Sequence, residues 1–217
     1  MPTQQQFIEQ DFSEQDFSSQ RFEQCTFIRC RFRHCDFSES QFIDCQFIDR
    51  QEPQGCDFSY SKLQDASFIH CQLGLCDFTG ANCFAIELRQ CDLKGANFSR
   101  ASFANQINNR SYFCSAYITG CNLAYANLEK QVIENCELFE NRWLGANLQS
   151  ASLRGSDLSR GEFSSDVWGQ FQMQGCDLSH VELTGLNPKR IDLTGVKINV
   201  WQQEQLLSAM GIEVVMD

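Results

Sequence analysis

Thirteen cysteines and three histidines are the residues of this 217-residue chain that could bind a metal or attack a substrate. Zinc sites need close ligand pairs such as Cys-x-x-Cys, and the chain has none. Cys25, Cys30 and Cys35 instead stand five apart, and Cys71 and Cys76 repeat that step. His34, His70 and His180 stand singly, far from one another in sequence. No P-loop, GxSxG, HExxH or GxGxxG is present. The 28 acidic residues outnumber the 17 basic ones, which gives a net charge of −11 and a pI near 4.7. Such a surface argues against direct binding to a nucleic-acid backbone. The acids are spread along the chain and read as a solvated surface, so no carboxylate pair is expected to act as acid and base. The sequence predicts neither an enzyme nor a bound metal or cofactor.

What positions these residues is a repeat. Phe7, Phe12, Phe17, Phe22, Phe27, Phe32, Phe37, Phe42 and Phe47 are five apart. The register slips by one residue and resumes from Phe58 to Phe103, with Leu63, Phe68, Leu73, Phe78, Cys83, Leu88, Leu93 and Phe98 between. It returns at Phe113 and Ile118 and runs through Leu123, Trp143, Leu158, Phe163, Trp168 and Leu183 to Ile198, missing at Pro188. With these positions called i, sixteen of the 19 phenylalanines fall on i. Eleven of the cysteines fall on i−2, where Ala or Ser stands elsewhere, as at Ala66, Ala96 and Ala126. Cysteine is therefore used here as a small buried apolar residue.

A step of five suits neither an α-helix, on which it advances 500°, nor a flat strand, on which it alternates faces. The chain must turn a corner every five residues and present i inward again. Residues i−2 and i then both point inward, and i−1 and i+1 point outward. Position i+2, where Gly80, Gly95, Gly120, Gly145 and Gly155 occur, lies near the corner. The three histidines also fall on i+2 and are expected to be exposed. The pattern predicts an all-β solenoid of stacked, backbone-bonded coils over residues 1–198.

Interruptions of a solenoid are where function usually sits. The first is Ile48, Asp49, Arg50, Gln51, Glu52, Pro53, Gln54 and Gly55, where eleven residues stand in place of ten and Pro53 and Gly55 mark a turn. The second is Ala104, Asn105, Gln106, Ile107, Asn108, Asn109, Arg110, Ser111 and Tyr112, with Asn108 where an apolar residue belongs. Both read as projecting polar loops, either contact elements or accommodated insertions. A third break lies at Leu186-Asn187-Pro188-Lys189. Residues 199–217 then form a C-terminal unit. Asn199 and Gln202 fit a capping box, and Gly211 suits the C′ position of a short helix. Val200, Trp201, Leu207 and Met210 are expected to form an apolar stripe, with Leu206 at its edge. Ile212, Val214 and Val215 follow as a strand-like tail. This unit covers the last coil, whose open edge would otherwise invite aggregation. It is either a plain cap or a two-fold dimer interface, with Trp201, Leu206, Leu207, Met210, Val214 and Val215 as the contact residues.

The tandem motif reads Cys-Asp-Leu-Lys-Gly/Ala-Asn-Phe-Ser-Arg from Cys91 to Arg100 and Ala-Asn-Leu-Gln-Ser/Ala-Ser-Leu-Arg-Gly from Ala146 to Gly155. It resembles the pentapeptide-repeat family. Several stretches use residues the five-residue rule does not demand. They are Tyr112-Phe-Cys-Ser-Ala116, Glu137-Leu-Phe-Glu-Asn-Arg-Trp143, Ser156-Asp-Leu-Ser-Arg-Gly161, Asp166-Val-Trp-Gly-Gln-Phe171 and Trp201-Gln-Gln203. These resemble the Qnr group of that family.

The resemblance implies a right-handed quadrilateral β-helix of about nine coils with two projecting loops and a short C-terminal helix. It also implies a homodimer joined through the C-terminus that binds DNA gyrase and topoisomerase IV and protects them from quinolones, with residues 48–55 and 104–112 as the partner-binding loops. The other readings are a DNA mimic that inhibits gyrase and a pentapeptide-repeat adaptor with another partner. No apolar run approaches the ~20 residues of a membrane span. The first residues lack a basic and apolar leader. A cytoplasmic protein with no membrane contact is expected.

Overall fold

The computed structural model describes residues 2–49, 51–108 and 111–215. Short strands recur at the sides of a coil. In chain order they are β1 (Gln6–Ile8), β2 (Arg21–Glu23), β3 (Thr26–Ile28), β4 (Gln41–Ile43), β5 (Ile48–Asp49) and β6 (Gln54–Gly55). β7 (Ser67–Ile69), β8 (Ile86–Arg89), β9 (Ala104–Asn108), β10 (Ser111–Cys114) and β11 (Ala116–Thr119) follow. One five-stranded parallel ladder runs β11-β8-β7-β4-β2 up one side.

Coils stack at a spacing of 20 residues. Phe7 lies over Phe27 and Phe22 over Phe42, and single parallel bridges such as Asp57 to Asp77 and Asn82 to Ser102 keep that step on the other sides. Twenty residues per coil at five per side make the coil four-sided. Across the first insertion the step becomes 26, as in Phe42 to Phe68, and across the second it becomes 30, as in Leu88 to Ile118.

The backbone of each five-residue unit explains its side-chain preferences. The amides of i, i+2 and i−1 all bond to neighbouring coils: Phe12 N to Arg31 O at 2.8 Å, Glu14 N to Arg33 O at 2.9 Å, and Arg31 N to Gln10 O at 2.9 Å. The amide of i+3 turns back on i, as in Gln15 N to Phe12 O at 3.2 Å. The amide of i+1 is left over. It donates to the Asp or Asn at i−1, as Ser13 does to Asp11 at 3.0 Å, Ser59 to Asp57 at 2.9 Å and Ser99 to Asn97 at 3.1 Å. That is why outward-facing i−1 positions so often carry Asp or Asn. The same donors hold these carboxyls down: the Ser13 hydroxyl and amide do so for Asp11, and those of Thr194 take Asp192 to about 2.

Position i+2 is the corner in the strict sense. Glu9, Glu14, Ser19 and Gln24 have φ of 51°, 65°, 55° and 52°, and Gly80 and Gly95 have 68°. Non-glycine residues there cost about 1 kcal/mol each, which the coil-to-coil amide bond offsets. At Gly80 a Cβ would also sit 2.6 Å from the Tyr60 ring of the coil before.

Position i fills the axis. In the N-terminal part phenylalanines stack between coils, with centroids 5.0 Å apart for Phe7 and Phe27 and 4.6 Å for Phe42 and Phe68. Around one coil they meet edge to face, as Phe27 and Phe32 do at 5.4 Å. Beyond Phe103 the column is mostly Leu and Ile. All thirteen cysteines are free, and the eleven at i−2 are buried. Burial pushes the Cys35 and Cys176 thiols up to about 11 and Cys83 to about 12. At these three, burial disfavours the thiolate, and the cysteines at i−2 fill the core as the spacing predicted. Polar residues buried at i−2 are mostly satisfied, the Ser40 hydroxyl being an exception. Asn141 donates to Ile118 O at 2.5 Å and Leu138 O at 2.9 Å and accepts from Cys121 N at 2.8 Å.

Two regions depart from the expected pattern. Around Trp168 the coil is closed by Gln170, whose backbone carbonyl accepts from Ser150 N and whose side chain accepts from Leu148 N. This lets off-period Phe171 into the core beside Trp168.

At the C-terminus a 3-10 turn (Val200–Gln202) leads into α1 (Gln203–Ala209). Asn199 N donates to Gln202 Oε1 at 2.6 Å, as the capping box requires. Gly211 (φ 84°) and Ile212 close a Schellman end on Ser208 O and Leu207 O. The residue turned fully inward is Gln202, which donates to Leu178 O at 2.8 Å and Val181 O at 2.7 Å. Val200, Trp201 and Met210 face out instead. The last coil ends in open carbonyls, and an amide satisfies them where a hydrocarbon does not. Leu206 packs on the chain's own core. Ile212, Val214 and Val215 are exposed, with no strand assigned to them.

Candidate functional site

Both interruptions are antiparallel hairpins standing off the coil. The first, β5 and β6, closes where Cys56 N donates to Phe47 O at 2.9 Å. Its strands are Ile48–Asp49 and Gln54–Gly55, and the insertion is larger than the one-residue slip suggests. Phe47 and Phe58 occupy neighbouring sides of one coil, so eleven residues stand where five belong. An insertion of six and a slip of one leave the same phase in a five-residue period.

The second hairpin, β9 and β10, closes where Ser115 N donates to Phe103 O at 3.1 Å. It extends through Cys114, beyond the expected end at Tyr112. Phe113, expected at an inward position, lies in β10 and is 47% exposed. Its ring meets Phe84 edge to face at 5.1 Å on the outside of the coil. Here the insertion is ten residues, two full periods, so the phase carries through unbroken and Phe113 keeps an inward number without an inward place. Arg50, Asn109 and Arg110 lie outside the described residues.

The hairpins leave opposite sides of the rod. The first follows Phe47 on the side that carries Phe27 and Leu73; the second follows Phe103 on the side that carries Leu63 and Cys83. Two coils, roughly 10 Å along the axis, separate them.

Their anchoring differs. In the first, Asp49 is 8% exposed and pairs with Arg29 at 3.0 Å. Arg29 also meets Glu9 at 2.8 Å and Glu52 at 3.2 Å, so one guanidinium holds three carboxylates. The other oxygen of Asp49 accepts from Gln51 N at 2.9 Å and sets the turn. Gln51, Glu52, Pro53 and Gln54 are exposed.

In the second, Tyr112 Oη donates to Glu134 at 3.1 Å, and Glu134 also accepts from the Ser152 hydroxyl. The Glu134 carboxylate raises the Tyr112 pKa. Asn105, Gln106, Ile107, Asn108 and Ser111 are exposed, Ile107 at 67%. The described residues of the hairpins offer amides, backbone edges and the aliphatic side chain of Ile107: a surface for contact.

The three histidines sit apart at exposed corners, as expected; His34 stacks on Tyr60 at 5.3 Å and His70 bonds Gln90 at 2.6 Å. Among the described residues no group of three His, Cys, Asp or Glu side chains could hold a metal ion. Among them, too, no helix is long and apolar enough to cross a membrane. At the C-terminal end Val200 (81%), Trp201 (50%), Met210, Val214 and Val215 (86%) are exposed apolar side chains.

The profile of a pentapeptide repeat region matches residues 20–98, and that of pentapeptide repeats in eight copies matches residues 96–130. The chain is 53% identical over 138 residues to a pentapeptide repeat protein, VPA0095, of Vibrio parahaemolyticus. It is 46% identical over 103 residues to the pentapeptide repeat protein QnrB4 of Escherichia coli. These alignments span 64% and 48% of the chain and the same shares of the two relatives, less than two thirds of either. The likeness in three dimensions is more complete. The full-length structure of QnrB1, a plasmid-mediated fluoroquinolone resistance protein, superposes with a TM-score of 0.92 at 43% identity, over 97% of this chain and 99% of the other.

Proposed function

We propose a role in quinolone resistance for this chain, which belongs to the pentapeptide-repeat family and is similar along nearly its whole length to a fluoroquinolone resistance protein. In this reading the protein binds DNA gyrase and topoisomerase IV in the cytoplasm and lowers their sensitivity to the drug. The observation that carries it is the end-to-end match to QnrB1 at 43% identity.

The physics fits. A charge of −11 on a narrow rod suits a basic saddle built for duplex DNA. Charge alone predicts competition with DNA and hence inhibition. Protection needs a selective element, and the hairpins at 48–55 and 104–114 supply one. The rod docks on the enzyme, and the hairpins reach toward the drug-stabilised cleavage complex and destabilise it. Two rods joined through Trp201, Leu207, Met210, Val214 and Val215, with Leu206 supporting them from the core side, form a homodimer that engages both halves of a two-fold enzyme.

The test is gyrase supercoiling with a fluoroquinolone present, titrated with purified protein beside a drug-free series. Supercoiling restored at protein levels that leave the drug-free reaction intact is the expected result. Inhibition in both series would instead make the protein a DNA mimic, and no effect in either would leave an adaptor with another partner.

A further inference from the structure

The two ends of the coil are finished differently. Gln202 closes the C-terminal end, while nothing among the described residues crosses the axis at the N-terminal end. There Phe7, Phe12 and Phe17 are only partly buried, and a cavity of about 120 Å³ runs inward along the axis as far as Phe42. Its wall is two tiers of phenylalanine, with Pro2 and Gln20 at the rim. Within the first tier the rings meet edge to face at 5.6 Å, 5.8 Å and 6.0 Å, and each stacks on the tier below.

The sequence changes at this end in the same sense. The i−2 positions of the first coil are Gln5, Gln10, Gln15 and Gln20, in place of the Cys, Ala or Ser found inside the rod. All four are exposed, one per side. A ring of neutral amides therefore surrounds an apolar well.

We propose that this well is a binding site for one small aromatic ring carrying at most one neutral polar group, a molecule of the benzene or phenol class. The volume is slightly below the ~150 Å³ of engineered apolar cavities that take up benzene or xenon, and the open mouth adds room. The phenylalanine edges and faces give a guest ring the same edge-to-face and stacked contacts they make with one another. Gln20 is the polar group in the lining and bonds a hydroxyl at the rim. Among the described residues no cation lines the well, so an anionic ring is disfavoured by the cost of burying an unpaired charge. The inference stands apart from the proposed function, because it uses neither hairpin nor any topoisomerase.

Benzene, phenol and benzoate are titrated separately into the full chain, read by the aromatic NMR resonances of Phe7, Phe12 and Phe17 and by the thermal midpoint. Benzene and phenol are expected to shift those three rings saturably and to raise the midpoint; benzoate is expected to do neither. Phe12→Trp fills the well and weakens benzene roughly tenfold. The terminal coil contacts one neighbour, so the rest of the rod keeps its fold in that variant. Gln20→Ala weakens phenol roughly threefold and leaves benzene unchanged. The proposal is overturned if neither neutral ring shifts these resonances, as when the chain's own Met1 fills the well. Benzoate binding as tightly as benzene, or Phe12→Trp without effect on benzene, also overturns it.

Discussion

The two hairpins are built on one scaffold and held by different forces. The first is fastened by charge. Arg29, from the coil before it, gathers Glu9, Asp49 and Glu52, and Asp49 is nearly buried. The second is fastened by rings and a phenol at its root, through Phe113 on Phe84 and Tyr112 on Glu134, while Ile107 stands free at its far end. The first is short, with two residues in each strand; the second has longer strands and exposes Ile107. The difference teaches that a regular coil tolerates an insertion wherever it can close the backbone at the base, and that side chains then decide how far the insertion projects. The longer, freer arm is the better candidate for reaching into a partner.

That ranking can be broken most directly by deletion. Removing residues 105–114 takes out ten residues and restores a 20-residue coil. Removing 49–54 takes out six and does the same. Both trimmed proteins are expected to melt near the parent. Protection of gyrase should be lost in the first and reduced in the second, read by supercoiling under drug. Equal loss in both would erase the distinction drawn here. The cut must be in phase: removing 104–112, nine residues, leaves the following coil one residue out of register. It should destabilise by on the order of 5 kcal/mol, because inward side chains from Ile118 onward would change face.

A smaller effect tests the charge. Arg29→Ala leaves three carboxylates without their cation, one of them nearly buried. The expected cost is about 1–2 kcal/mol, discounted from a fully buried pair because Arg29 and Glu52 reach solvent. Faster hydrogen exchange at the amides of Gln51 and Glu52, with the second hairpin unchanged, would confirm that Arg29 acts locally. Raised salt should mimic it weakly in the parent protein.

The smallest effect comes from the phenol. Tyr112→Phe removes one half-exposed hydrogen bond to Glu134, at about 0.5–1 kcal/mol. It should quicken exchange in β10 alone. If exchange in the first hairpin also changed, the two would not be independent.

Much of this was legible in the residues. The inward phenylalanines, the inert cysteines at i−2, the corners at i+2, the base of the first hairpin and the Asn199–Gln202 cap all follow from a five-residue rule and local capping chemistry. The hairpin anchors were not legible. Glu9 and Arg29 occupy successive corners and Asp49, in β5, stands 20 residues further on, a relation that exists only once coils are stacked. The inward turn of Gln202 was missed for a related reason: amphipathic reading seeks apolar residues, while the end of a coil presents carbonyls.

The sequence by itself therefore determined each residue's place modulo five: inward, outward or corner. Only the tertiary structure decided its place modulo 20, on which side and above which neighbour. An insertion of six imitates a slip of one, and an insertion of ten leaves the phase of the period unchanged, so that only Asn108 marks it. Backbone hydrogen bonds between coils count whole sides, and they alone distinguish Phe103, inside the rod, from Phe113, outside it.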